Sequence, residues 1–216
     1  MRRVCEALQR RYGLPRLGNP DEPMDDLVYV ITSNKTSPET AQSVYSQIKS
    51  KFQTWDKVLD APPQALYSIV KPAGLATVKS KQIRDTLWTV REDLGSYNLG
   101  QLKNKPPEEV GDYLVSLPGV SEKVAKCVMM YTMSAEVLPV DSHVHRIATR
   151  LGWTARKRAD QSHAELEALV PPKRRYAFHV DCVMHGRLVC RPKSPACGDC
   201  CISQYCPYYK SVKERG

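Results

Sequence analysis

An all-α fold is predicted for this 216-residue chain. Apolar residues recur at three- and four-residue spacing along most of its length, and no stretch alternates apolar and polar residues over six or more positions. Serine, aspartate and proline signals that open helices, and Pro/Gly signals that stop them, punctuate those stripes. No internal repeat or low-complexity tract interrupts the pattern.

The elements follow in order. Ser37-Pro38-Glu39 reads as N-cap, N1 proline and acidic first turn, and Ala41, Val44, Ile48 and Phe52 then form one stripe of a helix ending before Asp56. Asp60-Ala-Pro-Pro opens a short helix carrying Leu66, Ile69 and Val70, stopped by Lys71-Pro72-Ala73-Gly74. From Ser80, the stripe Ile83, Leu87 and Val90 marks the next helix, and Pro106-Pro107-Glu108-Glu109 begins the one with Val110, Tyr113 and Leu114. Further helices are expected near His143 to Leu151, Asp160 to Val170 and Arg174 to Val189, joined by short turns.

Composition narrows the class. Lys and Arg outnumber Asp and Glu by 32 to 23, a net charge of +9, which favours an anionic partner such as nucleic acid or an anionic membrane surface. A hydrophobic content of 42% argues for a packed core rather than disorder. No apolar run reaches the roughly 20 residues a spanning helix needs, and a charged segment follows Met1 where a signal core would lie. The expectation is an intracellular, cytoplasmic and nucleoid-associated protein, monomeric and not membrane-bound.

Eight cysteines are unevenly placed. Cys5, Cys127 and Cys182 fall inside helical stripes and read as small core hydrophobes. Cys190, Cys197, Cys200 and Cys206 form C-x6-C-x2-C-x5-C, four thiolates within 17 residues, with Cys201 a spare. Tetrahedral zinc and an iron-sulfur cluster both accept four thiolates. One close pair with two outlying ligands, rather than two C-x2-C knuckles, favours the cluster. Arg191 and Lys193 in the same loop are candidate phosphate contacts.

Two segments carry candidate chemistry. In Leu117-Pro-Gly-Val-Ser-Glu-Lys123, Pro118-Gly119 makes a tight turn into a helix that Ser121 caps, and backbone N–H groups at such a hairpin seat a phosphate. Lys123 in the first helical turn meets the positive end of the helix dipole, which favours its neutral, nucleophilic form. In Leu138-Pro-Val-Asp141-Ser-His143, Asp141 stands at a helix start, where an N-cap is the ordinary role.

LPGVSEKVAKCV, PVDSHVHRI, and HGRLVC leading into the four-cysteine spacing, in that order, resemble the endonuclease III family of DNA glycosylases within the helix-hairpin-helix superfamily. The resemblance runs from about Leu27 to Pro207. It implies a two-domain α fold: a central six-helix domain, here residues 26–135, and a [4Fe-4S] cluster domain from residues 1–25 and 136–216, with the active site in the cleft between them. It also implies a bifunctional DNA glycosylase and abasic-site lyase of base excision repair acting on damaged duplex DNA, oxidised pyrimidines foremost. Lys123 matches the family's catalytic lysine, Asp141 its catalytic aspartate, and Cys190, Cys197, Cys200 and Cys206 its cluster ligands. Asn34 stands where the family usually has a glutamine that fills the gap left by a flipped base. Leu75 matches the apolar wedge. With Lys79, Leu117, Gly119, Ser121, His143, Arg146, Arg191 and Lys193, these complete the expected DNA-contacting set. Ser121 replaces a usual glycine, so the turn there must avoid a positive φ or accept strain.

Three other readings compete. A mismatch enzyme removing thymine or uracil shares the cluster, but needs no amine at 123. An adenine glycosylase carries an extra C-terminal domain, whereas this sequence ends ten residues after Cys206. A non-catalytic DNA-binding iron-sulfur protein would bind DNA without forming a covalent adduct.

Overall fold

A computed structural model describes residues 1–213. No strand occurs among them, and no helix is long and apolar enough to cross a membrane. The chain divides into two compact units, one made of Met1–Leu17 with the segment from Glu136 onward, the other of Gly18–Ala135. The sequence reading drew the first boundary between residues 25 and 26, whereas Gly18 opens the second unit here. Asn19 Nδ2 donates to Asp26 Oδ1 at 2.6 Å.

The chain opens with α1 (Arg2–Tyr12), closed by Gly13 in the left-handed conformation. The Gly18–Ala135 unit then holds α2 (Pro23–Ser33), α3 (Pro38–Phe52), α4 (Trp55–Asp60), α5 (Pro63–Val70), α6 (Ala76–Leu94), α7 (Pro107–Ser116) and α8 (Glu122–Thr132). Helix α4 is absent from the sequence reading; Thr54, whose hydroxyl accepts from Lys57 N, starts it directly after α3. Helix α6 begins at Ala76, four residues before the expected Ser80, which places Lys79 inside it.

Helix α2 is the centre of this unit. Every residue from Pro23 to Thr32 except Asp25 is buried, because α8, α3 and α6 pack around it. A helix enclosed on so many sides is expected to be apolar all round. Met24, Leu27, Val28, Val30 and Ile31 satisfy that rule and Asp26 breaks it. Ile48 of α3, Leu66 of α5, Ile83 and Leu87 of α6, and Leu114 of α7 complete the core.

The other unit packs α1 and α9 (Ser142–Arg150) against α11 (Arg175–Leu188), with α10 (His163–Leu169) and α12 (Pro207–Lys213) alongside. Helix α10 is shorter than the expected Asp160–Val170, since Ala159–Gln161 forms a separate 3₁₀ turn. Leu8, Leu138, Val144, Ile147, Leu166, Phe178 and Cys182 build its core. Gly186 on α11 permits the closest approach to α9, for a Cβ there would lie 2.3 Å from His143 Nδ1. Cys5, Cys127 and Cys182 are buried in the roles expected of them.

Candidate active site and cysteine centre

The turn between α7 and α8 is built from the core outward. Leu117 is 1% exposed, so its side chain anchors the hairpin and is not available to DNA as expected. Its carbonyl accepts from Val120 N at 3.1 Å, closing the turn. Gly119 has φ +72, a conformation that favours glycine, and its carbonyl accepts 2.6 Å from Gln82 Nε2 of α6. Ser121 has φ −85, so the serine in place of the family glycine brings no strain; its hydroxyl caps α8 through Val124 N. Gly119 and Ser121 are both exposed. Lys123 follows as the second residue of α8, half-buried.

Sequence reasoning missed the carboxylate beside that lysine. Asp26 is fully buried, and while Oδ1 accepts from Asn19, Oδ2 has no hydrogen-bond partner. Burial pushes its pKa up to about 7, against the opposing pull of the Asn19 amide and the Lys123 charge. The legible signal was spacing: Asp26 lies one turn before Val30, on a helix whose remaining positions are apolar.

A second cluster gathers Asn34, Leu75 and Lys79, and Lys79 is not placed as a phosphate contact. Lys79 is 2% exposed, and its ammonium donates to Thr32 O at 2.8 Å, Thr36 Oγ1 at 2.7 Å and Ala73 O at 2.8 Å. Those bonds turn the charge inward, away from any phosphate. Lys79 is instead a clamp joining the turn after α2, which carries exposed Asn34, to the loop that carries Leu75. Leu75 is 55% exposed and left-handed at φ 52, ψ 34, directly after Gly74 at φ 69. A bulky residue in that region costs about 1–3 kcal/mol and persists only where its surroundings enforce it. The Lys79 and Thr36 bonds to Ala73 O are that enforcement. An exposed apolar side chain on a braced, strained backbone suits insertion into a base stack.

In the other unit, Asp141 is the N-cap of α9: Oδ1 accepts from His143 N at 2.9 Å and Val144 N at 2.8 Å. His143 and Arg146, both expected among the DNA contacts, are half-buried. The Arg146 guanidinium donates to Cys190 O at 2.8 Å, Gly186 O at 3.0 Å and Ser142 O at 3.2 Å, and it also meets His143 Nδ1 at 3.1 Å. The Arg146 side chain therefore ties α9 to α11 and to the cysteine segment. Burial lowers the His143 pKa, keeping the ring neutral beside that guanidinium. Arg191 and Lys193 are exposed on the loop itself.

Cys190, Cys197, Cys200 and Cys206 line one small cavity of about 20 Å³, together with Arg150, His185 and Tyr208. Cys201 lies outside that lining. Arg150 Nη1 points at Cys190 Sγ at 3.1 Å, and its guanidinium stacks on Tyr208 at 4.5 Å. His185 approaches Cys200 Sγ at 3.4 Å through Nε2 and Tyr12 Oη at 2.8 Å through Nδ1. Among the described residues, no three His, Cys, Asp or Glu side chains converge on a single metal ion.

The model of the HhH-GPD superfamily of base excision DNA repair proteins matches residues 28–172, more than half of the chain. An endonuclease III of Thermotoga maritima is 26% identical over 196 residues, covering 91% of this chain and 88% of its own. Among solved structures, a non-covalent endonuclease III–DNA complex aligns with a TM-score of 0.87 at 20% identity, covering 99% of this chain and 96% of that one. A thermostable thymine-DNA glycosylase aligns with a TM-score of 0.79 at 20% identity, covering 96% and 95%. At such identities the structural likeness is one of fold. The chain belongs to the HhH-GPD superfamily of base excision DNA repair proteins, as a relative of the endonuclease III enzymes.

Proposed function

We propose that this chain is a DNA glycosylase with abasic-site lyase activity, binding damaged duplex DNA and removing oxidised pyrimidines. The observation that carries the reading is Lys123, an amine in the first turn of α8 directly behind an exposed, pre-formed phosphate-seating turn at Gly119 to Ser121. In the reaction, the Leu75 wedge and Asn34 occupy the space vacated by the extruded nucleotide. The neutral Lys123 Nζ attacks C1′, the glycosidic C–N bond breaks, and the base departs with the bonding electron pair. Loss of the amine's proton and opening of the sugar ring leave an imine. The imine acidifies C2′; removal of a C2′ proton expels the 3′ phosphate and cuts the strand. Asp141 is assigned the electrostatic stabilisation of the cationic sugar as the base leaves.

The four cysteines suit a [4Fe-4S] cluster. Structural zinc usually takes two close C-x2-C pairs, whereas only Cys197 and Cys200 are so spaced here. A cubane spreads its ligands over four corners, and here four sulfurs surround one cavity with a guanidinium beside one of them. When bound, the cluster supplies shape and no step of base removal. Cys190, Cys197, Cys200 and Cys206 would hold it, fixing the loop that presents Arg191 and Lys193 to phosphate. Cys197→Ser is expected to lose the brown colour and most of the bound iron, and to lower solubility, because ligation and folding of this segment are coupled. Full iron content in that variant, or zinc without iron in the wild type, would refute the assignment.

Borohydride trapping on an abasic duplex tests the lyase reading. A covalent protein–DNA adduct is expected. Tight binding without an adduct would support the non-catalytic alternative, and thymine release from a G·T duplex without an adduct would support the mismatch enzyme.

A further inference from the structure

We propose that Asp26 is the positioning and proton-accepting residue behind Lys123, holding the amine and taking its proton so that it can attack. The inference rests on the lyase reading above and adds to it a carboxylate that the reading does not contain. An ammonium is not a nucleophile; one proton must leave Nζ before C1′ is attacked.

Asp26 supplies a proton acceptor within the same compact unit. Asp26 stands on α2, the helix against which α8 packs, and the Lys123 charge bears on it. One carboxyl oxygen is held by Asn19 at 2.6 Å, which fixes the group's orientation. The other is buried and has no hydrogen-bond partner, a condition that natural cores rarely tolerate without a functional reason.

The step balances as a single transfer: Lys123 Nζ–H⁺ and Asp26 carboxylate become the free amine and the carboxylic acid, across a hydrogen bond or one bridging water. Burial places the proton affinity of Asp26 near neutrality, so the acid and base forms are both available where the exchange occurs. On α8 itself, Lys126 pairs with Glu122 at 2.9 Å and Cys127 is buried. Asp25, its neighbour on α2, pairs with Lys49 of α3 at 3.0 Å. Tyr45 of α3 has its hydroxyl turned to Asp25, and its pKa is raised by burial first and then by that carboxylate. Lys79 of α6 is committed to Thr32, Thr36 and Ala73. Lys103, on the 3₁₀ turn that also packs on α2, is exposed. No histidine lies in this unit.

The test is the pH profile of borohydride trapping on an abasic duplex for wild type, Asp26→Asn and Asn19→Ala. In the wild type the trapping rate rises through neutral pH as Asp26 becomes able to accept. Asp26→Asn is expected to lose that rise and to trap roughly 100-fold more slowly at pH 7. Asn19→Ala removes a bond that favours the carboxylate, so its midpoint moves to higher pH while its plateau survives. A folded Asp26→Asn with the wild-type rate and profile would overturn the proposal. If Asp26→Asn fails to fold, an unshifted midpoint in Asn19→Ala overturns it. Absence of an adduct in the wild type would instead sink the lyase reading itself, a different outcome from either.

Discussion

Lys123→Ala is expected to abolish the covalent adduct and to reduce strand cleavage at an abasic site by at least about 1,000-fold, the scale of losing a covalent nucleophile. Duplex affinity should stay within a few-fold. The phosphate seat is backbone at Gly119 to Ser121, held by Leu117, Gln82 and the Ser121 cap, and none of these involves the lysine side chain. Folding should survive as well. Alanine is favoured in a helix, and a cation in the first turn opposes the helix dipole. One further consequence is electrostatic. The lysine charge pulls the Asp26 pKa down, so its removal should raise that pKa further. Cleavage by the variant at the wild-type rate would remove Lys123 from the chemistry.

Asp141→Asn is expected to slow base removal about 1,000-fold, as the loss of a preorganised charge at a cationic transition state predicts, while leaving the protein folded. The separation of these effects comes from the cap. Asp141 Oδ1 receives two backbone N–H groups, and an asparagine carbonyl can accept the same pair. Asparagine and aspartate are near-equivalent N-caps, whereas alanine there costs about 1 kcal/mol. Comparing Asp141→Asn with Asp141→Ala thus divides charge from capping: both should lose turnover, but only the alanine variant should lose thermal stability. DNA affinity should rise slightly in both as one negative charge is removed near phosphate. Wild-type base release by Asp141→Asn would reduce the residue to a helix cap.

The pH dependence of stability carries a related signature. Asp26 has a folded-state pKa of about 7 against an ordinary carboxyl near 4, so the folded protein binds the proton more tightly than the unfolded chain. Its contribution therefore falls as pH rises between those values, and is at its most unfavourable above pH 7. A protein keeping such a residue buried in the first turn of α2 tolerates a stability cost that an apolar side chain would remove.

Much of this was readable before the structure. Ser37, Ser121 and Asp141 were expected at helix starts, and each caps its helix through a side-chain bond to the backbone. Caps are local, so a few residues determine them. What escaped the sequence reading was the direction of long polar side chains. Lys79 was expected among the DNA contacts, yet it lies one turn before Ile83 and two before Leu87, on the buried stripe of α6. Its stem follows that stripe, and its ammonium ends on carbonyls from distant segments, Thr32 among them. Arg146 is similar: its partners at Gly186 and Cys190 are some forty residues away, beyond any local pattern. Leu117 was placed correctly in the hairpin but on the wrong side of it, since periodicity marks a core position and a turn motif marks an exposed one, and here packing decides.

The most direct test of the central claim is peptide mapping by mass spectrometry of the wild-type adduct formed with an abasic duplex and reduced by borohydride. The sugar remnant is expected on the peptide containing Lys123, and on that lysine by fragmentation. Recovery of the remnant on the Met1 amine or another lysine, with Lys123 unmodified, would contradict the account.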